Sequence, residues 1–383
     1  MHCYVTPMDE LVLTNALLVL PDEVMAGTLA ASGGVIRDVS RRASRAPGAV
    51  DCGGDFLLPG LVDLHTDSLE RQLTPRPGAL WPQALGAALA NDAFLAAQGI
   101  TTVFDSLCAE AFPLEEGKRQ AFHSCLRAVL SGIAEQAFRA EHFLHLRCET
   151  ADPEVLEMIA PYSQLDRVRL MSLMDHTPGQ RQYRDMAVYR RHCGNGSDGE
   201  FTAMVRERLE NQRLHAGPHR RRIIALASEG GIPLASHDDA TREHVEQAYA
   251  EGAAICEFPT TLEAARRARE LGMPTVMGAP NIVMGGSHSG NVSAMDALRA
   301  GCLDILSSDY YPPSLLAAPF FLADRGEMEL PEAVRLVSSA PAQAVGLCDR
   351  GSLTPGLRAD MIRVRLVKDV AMARTVWCAD KCK

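Results

Sequence analysis

The chain has 383 residues, enough for two or three domains or for one barrel carrying an added lobe. With 47% hydrophobic and 22% charged residues, its composition is that of a globular protein, neither fibrous nor disordered. A formal net charge of −10, from 48 acidic and 38 basic side chains, opposes the counterion displacement that broad nucleic-acid binding requires, so no nucleic-acid partner is expected.

The N-terminus carries Asp9 and Glu10 where a secretory leader would carry basic residues, so no signal peptide is expected. No apolar run approaches the ~20 residues of a membrane span, and no membrane partner is expected. The 11 cysteines run from Cys3 to Cys382 without a C-x-x-C pair, which suggests reduced thiols and a cytoplasmic location.

Residues 11–58 read as short strands and turns, including LVLTNALLVL, GTLAASGGVIRDVS and DCGGDFLLPG. The segment GSLTPGLRADMIRVRLV (351–367) has the same character, with Ile362, Val364 and Leu366 alternating. Residues 1–58 and 350–383 are therefore expected to form one small composite β domain, a β-sandwich built from both termini.

Between them, strand-length apolar runs recur, each followed by a helical stretch. They are LVDLH (61–65), ITTVFDSL (100–107), HFLHLRCE (142–149), VRLMSLMD (168–175), IPLASH (232–237), AAICEF (253–258), PTVMGA (274–279) and LDILSSD (303–309). Segments such as LEAARRARELG between them are amphipathic. Eight strands alternating with helices imply α/β architecture, a (β/α)8 TIM-like barrel over 59–349. One connection is long. Residues 176–231 form an Arg-rich, helical insertion of the kind that serves as a lid or binding element.

In such barrels chemistry sits where strands end at the C-terminal face. Those positions hold His65 and Asp67, Asp105, Glu149, Asp175 with His176, His237, Glu257 and Asp309. Imidazole and carboxylate donors suit divalent zinc, and also manganese. Period-two spacing puts His65 and Asp67 on one face of an extended chain. A buried Glu149 is costly without a cation. Asp105 reads as a turn or supporting residue.

Three signatures resemble the amidohydrolase superfamily: LPGLVDLHTD (58–67), QGITTVFDS (98–106) and GSLTPGLRAD (351–360). Further stretches, LHTDSLERQLTPRP (64–77), LMDHTPGQRQY (173–183), ASHDDAT (235–241) and GGSHSGNVSA (285–294), resemble the branch of that superfamily that acts on a ribose phosphonate triphosphate in the carbon–phosphorus lyase pathway. The resemblance implies a metal-dependent diphosphatase holding one or two divalent ions, zinc foremost, on His65, Asp67, Glu149, His176, His237 and Asp309. It implies Asp309 as the catalytic base. Arg181, Gln182, Glu257, Asn281, Ser287 and His288 become expected substrate contacts, with the His219–Arg222 cluster as further cations for an anionic leaving group.

The sequence departs from the commoner superfamily pattern. Asp67 replaces a histidine, and none of the lysines (118, 368, 381 and 383) lies on a barrel strand to bridge two ions. The sixth strand ends in Cys256-Glu257-Phe258, so either His176 or Glu257 completes the ligand set. The alternative is an amidohydrolase acting on a C–N bond, such as a deaminase, cyclic amidase or deacetylase. A homo-oligomer is compatible with either reading.

Overall fold

The computed structural model describes residues 10–76, 79–111, 116–192, 196–286 and 290–379. Eight parallel strands form the larger sheet, each hydrogen-bonded to its sequence neighbours. They are Leu61–Thr66, Ile100–Ala109, Glu141–Glu149, Val168–Met174, Leu234–His237, Ile255–Glu257, Thr275–Gly278 and Ile305–Ser307. All eight expected runs are strands. The later ones are shorter than the sequence suggests, the fifth losing residues only at its start and the sixth, seventh and eighth at both ends.

A parallel bridge between Thr66 and Asp309 brings the last strand back to the first. The Asp309 amide donates to the His65 carbonyl and the Asp67 amide to the Asp309 carbonyl, each at 2.9 Å. At the opposite end Val62 and Leu306 donate to the carbonyls of Val337 and Leu336. The nearly closed cylinder thus joins residues 65–67 to residue 309, at the rim where the catalytic groups are expected.

Alternation fills the barrel. Inward positions pack Val62, Leu64, Phe104, Phe143, Leu170 and Ile255 into one buried cluster. Outward positions pack under the helices, where Phe122, Leu126 and Val129 meet Leu144 and Leu146. Helix starts follow the strand ends closely. The Thr241 and Thr261 side chains accept from the amides of His244 and Ala264, capping Arg242–Ala250 and Leu262–Glu270.

A separate mixed sheet of seven strands draws on both termini. Its path runs Val370–Trp377, Met361–Val367, Phe56–Pro59, Leu11–Val19, Val24–Ser32 and Val35–Ser40, with Val50–Asp51 beside Leu11–Val19. Ile362 and Val364 turn from this sheet into the apolar layer around the barrel. Gly99 (φ +86°) lies so close to Ile362 that a Cβ there would stand 2.6 Å from its Cδ1, so a side chain would force the lobes apart.

The segment after the fourth strand contains the helices Met186–His192, Asp198–Asn211 and Gly217–Glu229, the last two joined by a π-helical turn, Gln212–Ala216. Ser197 and Glu200 form a capping box at the start of the second. Asp175 fastens the segment down by accepting from Gln180 Nε2 at 2.9 Å and Gln212 Nε2 at 3.1 Å. Among the described residues no disulfide occurs, and no helix is long and apolar enough to cross a membrane.

Candidate active site

A cavity of about 750 Å³ opens at the C-terminal ends of the barrel strands. That is within the ~300–1,000 Å³ of small-molecule sites. Its floor is built from imidazoles whose outer nitrogens point inward, and one carboxylate sets two of them. Glu257, on the sixth strand and 1% exposed, accepts from His65 Nδ1 at 2.8 Å and from His237 Nδ1 at 2.6 Å. A proton on each Nδ1 leaves each Nε2 lone pair for a cation, the arrangement by which carboxylates orient metal-binding histidines. Glu149 does the same for a third ring, standing 2.9 Å from His176 Nδ1.

Three outer nitrogens then face carboxylate oxygens at distances too long for good hydrogen bonds. His65 Nε2 is 3.5 Å from Asp67 Oδ1. His176 Nε2 and His237 Nε2 are 3.4 and 3.6 Å from Asp238 Oδ2. Donors around a tetrahedral ion with ~2.1 Å bonds stand ~3.4 Å apart, so the spacing fits zinc-like coordination. Asp238 Oδ2 is buried and has no hydrogen-bond partner. Among the described residues three donor groups have their ligand atoms within 4.8 Å of one another: His65 with Asp67 and Asp309, and His176 with His237 and Asp238, line the cavity, while His65 with His145 and Glu257 is fully buried.

Electrostatics point the same way. Burial opposes a charged imidazole at His65, yet Glu257 raises it to about 10. At His176 burial is likewise outweighed, by Asp238 and Glu149, and the value rises to about 10. Burial also opposes charge on Asp67, but Arg147, 2.7 Å away, and His65 hold it well below the usual carboxylate range. A proton on Nε2 and a divalent cation bound there are alternatives, each offsetting the surplus of buried carboxylates.

The rim carries backbone strain. Asp238 (φ +56°), Phe258 (φ +52°) and Asp309 (φ +54°) follow the fifth, sixth and eighth strands in the left-handed region. Such residues cost of order 1–3 kcal/mol each and concentrate at functional sites. Gly278 gives Asp309 its room, since a Cβ there would stand 3.1 Å from Asp309 Oδ2.

The expected site residues fall into two shells. His65, Asp67, His176, His237 and Asp309 line the cavity, as do Gln182 and Asn281. Glu149 and Glu257 stand behind the imidazoles they orient. Arg181 lies deeper still, with φ +47°, its Nη1 donating to the His237 carbonyl at 3.0 Å and to Asp239 at 2.6 Å. It braces the fifth strand end. Arg220 and Arg222 pair with Glu251 and Glu229 and do not line the cavity. Asp105 occupies the body of the second strand, 2.7 Å from His142 Nδ1, rather than a turn. Ser287 and His288 lie outside the described residues.

Sequence reasoning passed over Asp238, although it follows His237 directly in ASHDDAT. It also missed Arg147, whose strand position two residues before Glu149 was the available signal. His145 was missed too; it is fully buried, held by the Leu64 carbonyl and Ser172 Oγ at 3.0 Å each, and edges against the His65 ring.

No family model matches the chain. A curated relative from Escherichia coli (strain K12), alpha-D-ribose 1-methylphosphonate 5-triphosphate diphosphatase, is 43% identical over 357 residues, covering 92% of this chain and 94% of the relative. The chain belongs to that diphosphatase family. Among solved structures, an amidohydrolase matches with a TM-score of 0.59 at 17% identity, covering 97% of this chain and 98% of its own. N-acetylglucosamine-6-phosphate deacetylase from Pasteurella multocida matches with a TM-score of 0.64 at 11% identity, again over 97% and 98%. These likenesses establish the amidohydrolase fold of this diphosphatase family member.

Proposed function

We propose that this protein hydrolyses alpha-D-ribose 1-methylphosphonate 5-triphosphate to the 5-phosphate and diphosphate during phosphonate breakdown in the cytoplasm, using zinc or manganese. The observation that carries the reading is the His–carboxylate floor of the cavity, in a chain 43% identical to a diphosphatase of that name. His65, Asp67, His176, His237, Asp238 and Asp309 would hold the ions, with Glu149 and Glu257 orienting the imidazoles. A divalent ion there supplies Lewis acidity and makes water easier to deprotonate at neutral pH.

The chain's own groups do the rest. Asp309 accepts a proton from the attacking water, as its place beside His65 and Asp67 allows. Water oxygen bonds to the phosphorus nearest the ribose, and the bond from that phosphorus to the bridging oxygen breaks. The electron pair leaves with diphosphate. Arg147 keeps Asp67 ionised, and Gln182 and Asn281 offer hydrogen-bonding groups to the sugar.

The test is direct. Metal-loaded protein incubated with the triphosphate should give the 5-phosphate and diphosphate by phosphorus NMR. Orthophosphate as the first product, or turnover of cyclic amides or aminopyrimidines with none of the triphosphate, would reject the reading.

A further inference from the structure

Four permanent cations line the cavity: Arg71, Lys118, Arg147 and Arg208. Three of them are committed to carboxylates of the same wall. Arg147 Nη1 stands 2.7 Å from Asp67, Arg208 Nη2 2.8 Å from Glu110 and Lys118 Nζ 3.4 Å from Glu110. Glu70, Asp238 and Asp309 line the cavity as well, so its carboxylates outnumber its fixed cations. The side chains therefore set up no positive field that would draw in an anion. Recognition of one depends on which cation still has hydrogen-bond donors to offer.

Arg71 is that cation. It lies on the short helix Ser68–Leu73, one turn beyond Asp67, and is exposed where it lines the cavity. Its Nη1 donates to the Tyr310 carbonyl at 3.1 Å, and its guanidinium lies over the Tyr310 ring, 5.6 Å from the centroid. Tyr310 is itself anchored, its hydroxyl donating to Met284 Sδ at 3.1 Å. Among the described residues no carboxylate pairs with Arg71, and its Nε and Nη2 have no hydrogen-bond partner. Those two nitrogens form the side-on fork by which a guanidinium takes two oxygens of a tetrahedral phosphorus group. Tyr310 directly follows Asp309, so the held guanidinium stands on the same side of the ring as His65, Asp67 and Asp309.

We infer that Arg71, steadied by Tyr310, binds one end of the substrate, gripping two oxygens of its terminal phosphate or of its phosphonate. Such a contact rests on the diphosphatase reading and adds to it a site for one anionic end. Both ends carry the same chemistry, a tetrahedral anion on phosphorus, and neither is the phosphorus that water attacks. The contact is made equally before and during the reaction, so it lowers KM without speeding the chemical step. Two tasks are thereby separated on one seam of the ring: Asp309 works on the water, and Arg71 fixes where the substrate lies relative to it.

The test uses the full-length, metal-loaded protein, with inorganic diphosphate and methylphosphonate as competing probes. Arg71→Gln should raise KM for the ribose triphosphate about 10- to 100-fold, as loss of charged hydrogen bonds predicts, while kcat changes far less. The side chain is exposed and stands outside both donor groups, so bound metal and melting temperature should not move. Arg71→Lys should recover only part of the loss, because an ammonium cannot fork. Weaker inhibition by diphosphate alone would place the terminal phosphate at Arg71; weaker inhibition by methylphosphonate alone would place the phosphonate there. An unchanged KM, or a fall in kcat alone, would overturn the contact, while diphosphate release by wild-type protein keeps the diphosphatase reading. If wild-type protein releases no diphosphate, that reading fails and the contact with it.

Discussion

Glu257 shows how one side chain can organise a site without entering it. Its two oxygens fix the Nδ1 atoms of His65 and His237, 172 residues apart in sequence, and so aim both Nε2 atoms into the cavity. Glu257→Gln keeps the shape but cannot accept from both rings. Metal affinity should fall about 10- to 100-fold, measured by competition with a chromophoric chelator; an unchanged affinity would remove Glu257 from this role. Asp309 is the opposite kind of residue, held at φ +54° and exposed to the cavity. Asp309→Asn should lower turnover by about 10²- to 10⁴-fold while bound metal changes far less. Loss of metal in proportion to loss of rate would make Asp309 a ligand and nothing more.

At the scale of elements, buried charge ties helix to strand. His142, on the third barrel strand, has Nδ1 at 2.7 Å from Asp105 on the second and Nε2 at 3.3 Å from Asp92 on the helix Ala84–Ala97. Burial disfavours the charged ring, but Asp105 and Asp92 outweigh it and raise His142 to about 9. An unfolded histidine titrates near ~6.5. The stabilisation is therefore complete below ~6.5 and disappears as pH rises through about 9, with a magnitude on the order of 3 kcal/mol. Thermal melts from pH 6 to 10 should show wild-type protein losing stability more steeply than His142→Gln. Parallel curves would mean that the ring is neutral in the folded protein. The motif QGITTVFDS contains Asp105 but gives no hint of this pairing, because the partners come from residues 92 and 142.

For the whole molecule, crowding carboxylates at one rim has a thermodynamic consequence. Asp67, Asp238, Asp309, Glu149 and Glu257 converge there from five separate stretches of chain, and a cation bound only by the folded form stabilises it by mass action. Divalent ion at ~100 times its dissociation constant should add about 2.7 kcal/mol, and chelation should lower the melting temperature reversibly. A melting curve indifferent to both zinc and chelator would exclude a metal centre at this rim.

The sequence alone determined the larger architecture, because periodicity is a local property. Each barrel strand is a run of apolar residues ended by polar ones, and each carries that signal within its own few residues. The same locality exposed His65, Asp67, His237 and Asp309, which stand at strand ends. Only the tertiary structure decided which donors face the cavity and which stand behind it. Arg181 and Glu257 look alike as polar rim residues, yet one is spent on Asp239 and the other on two imidazoles. The meeting of Asp309 with His65 and Asp67 was equally hidden: they stand at opposite ends of the barrel sequence and come together only when the ring closes. Ring closure is a long-range event, set by how eight strands pack around one core, and no window of neighbouring residues contains it.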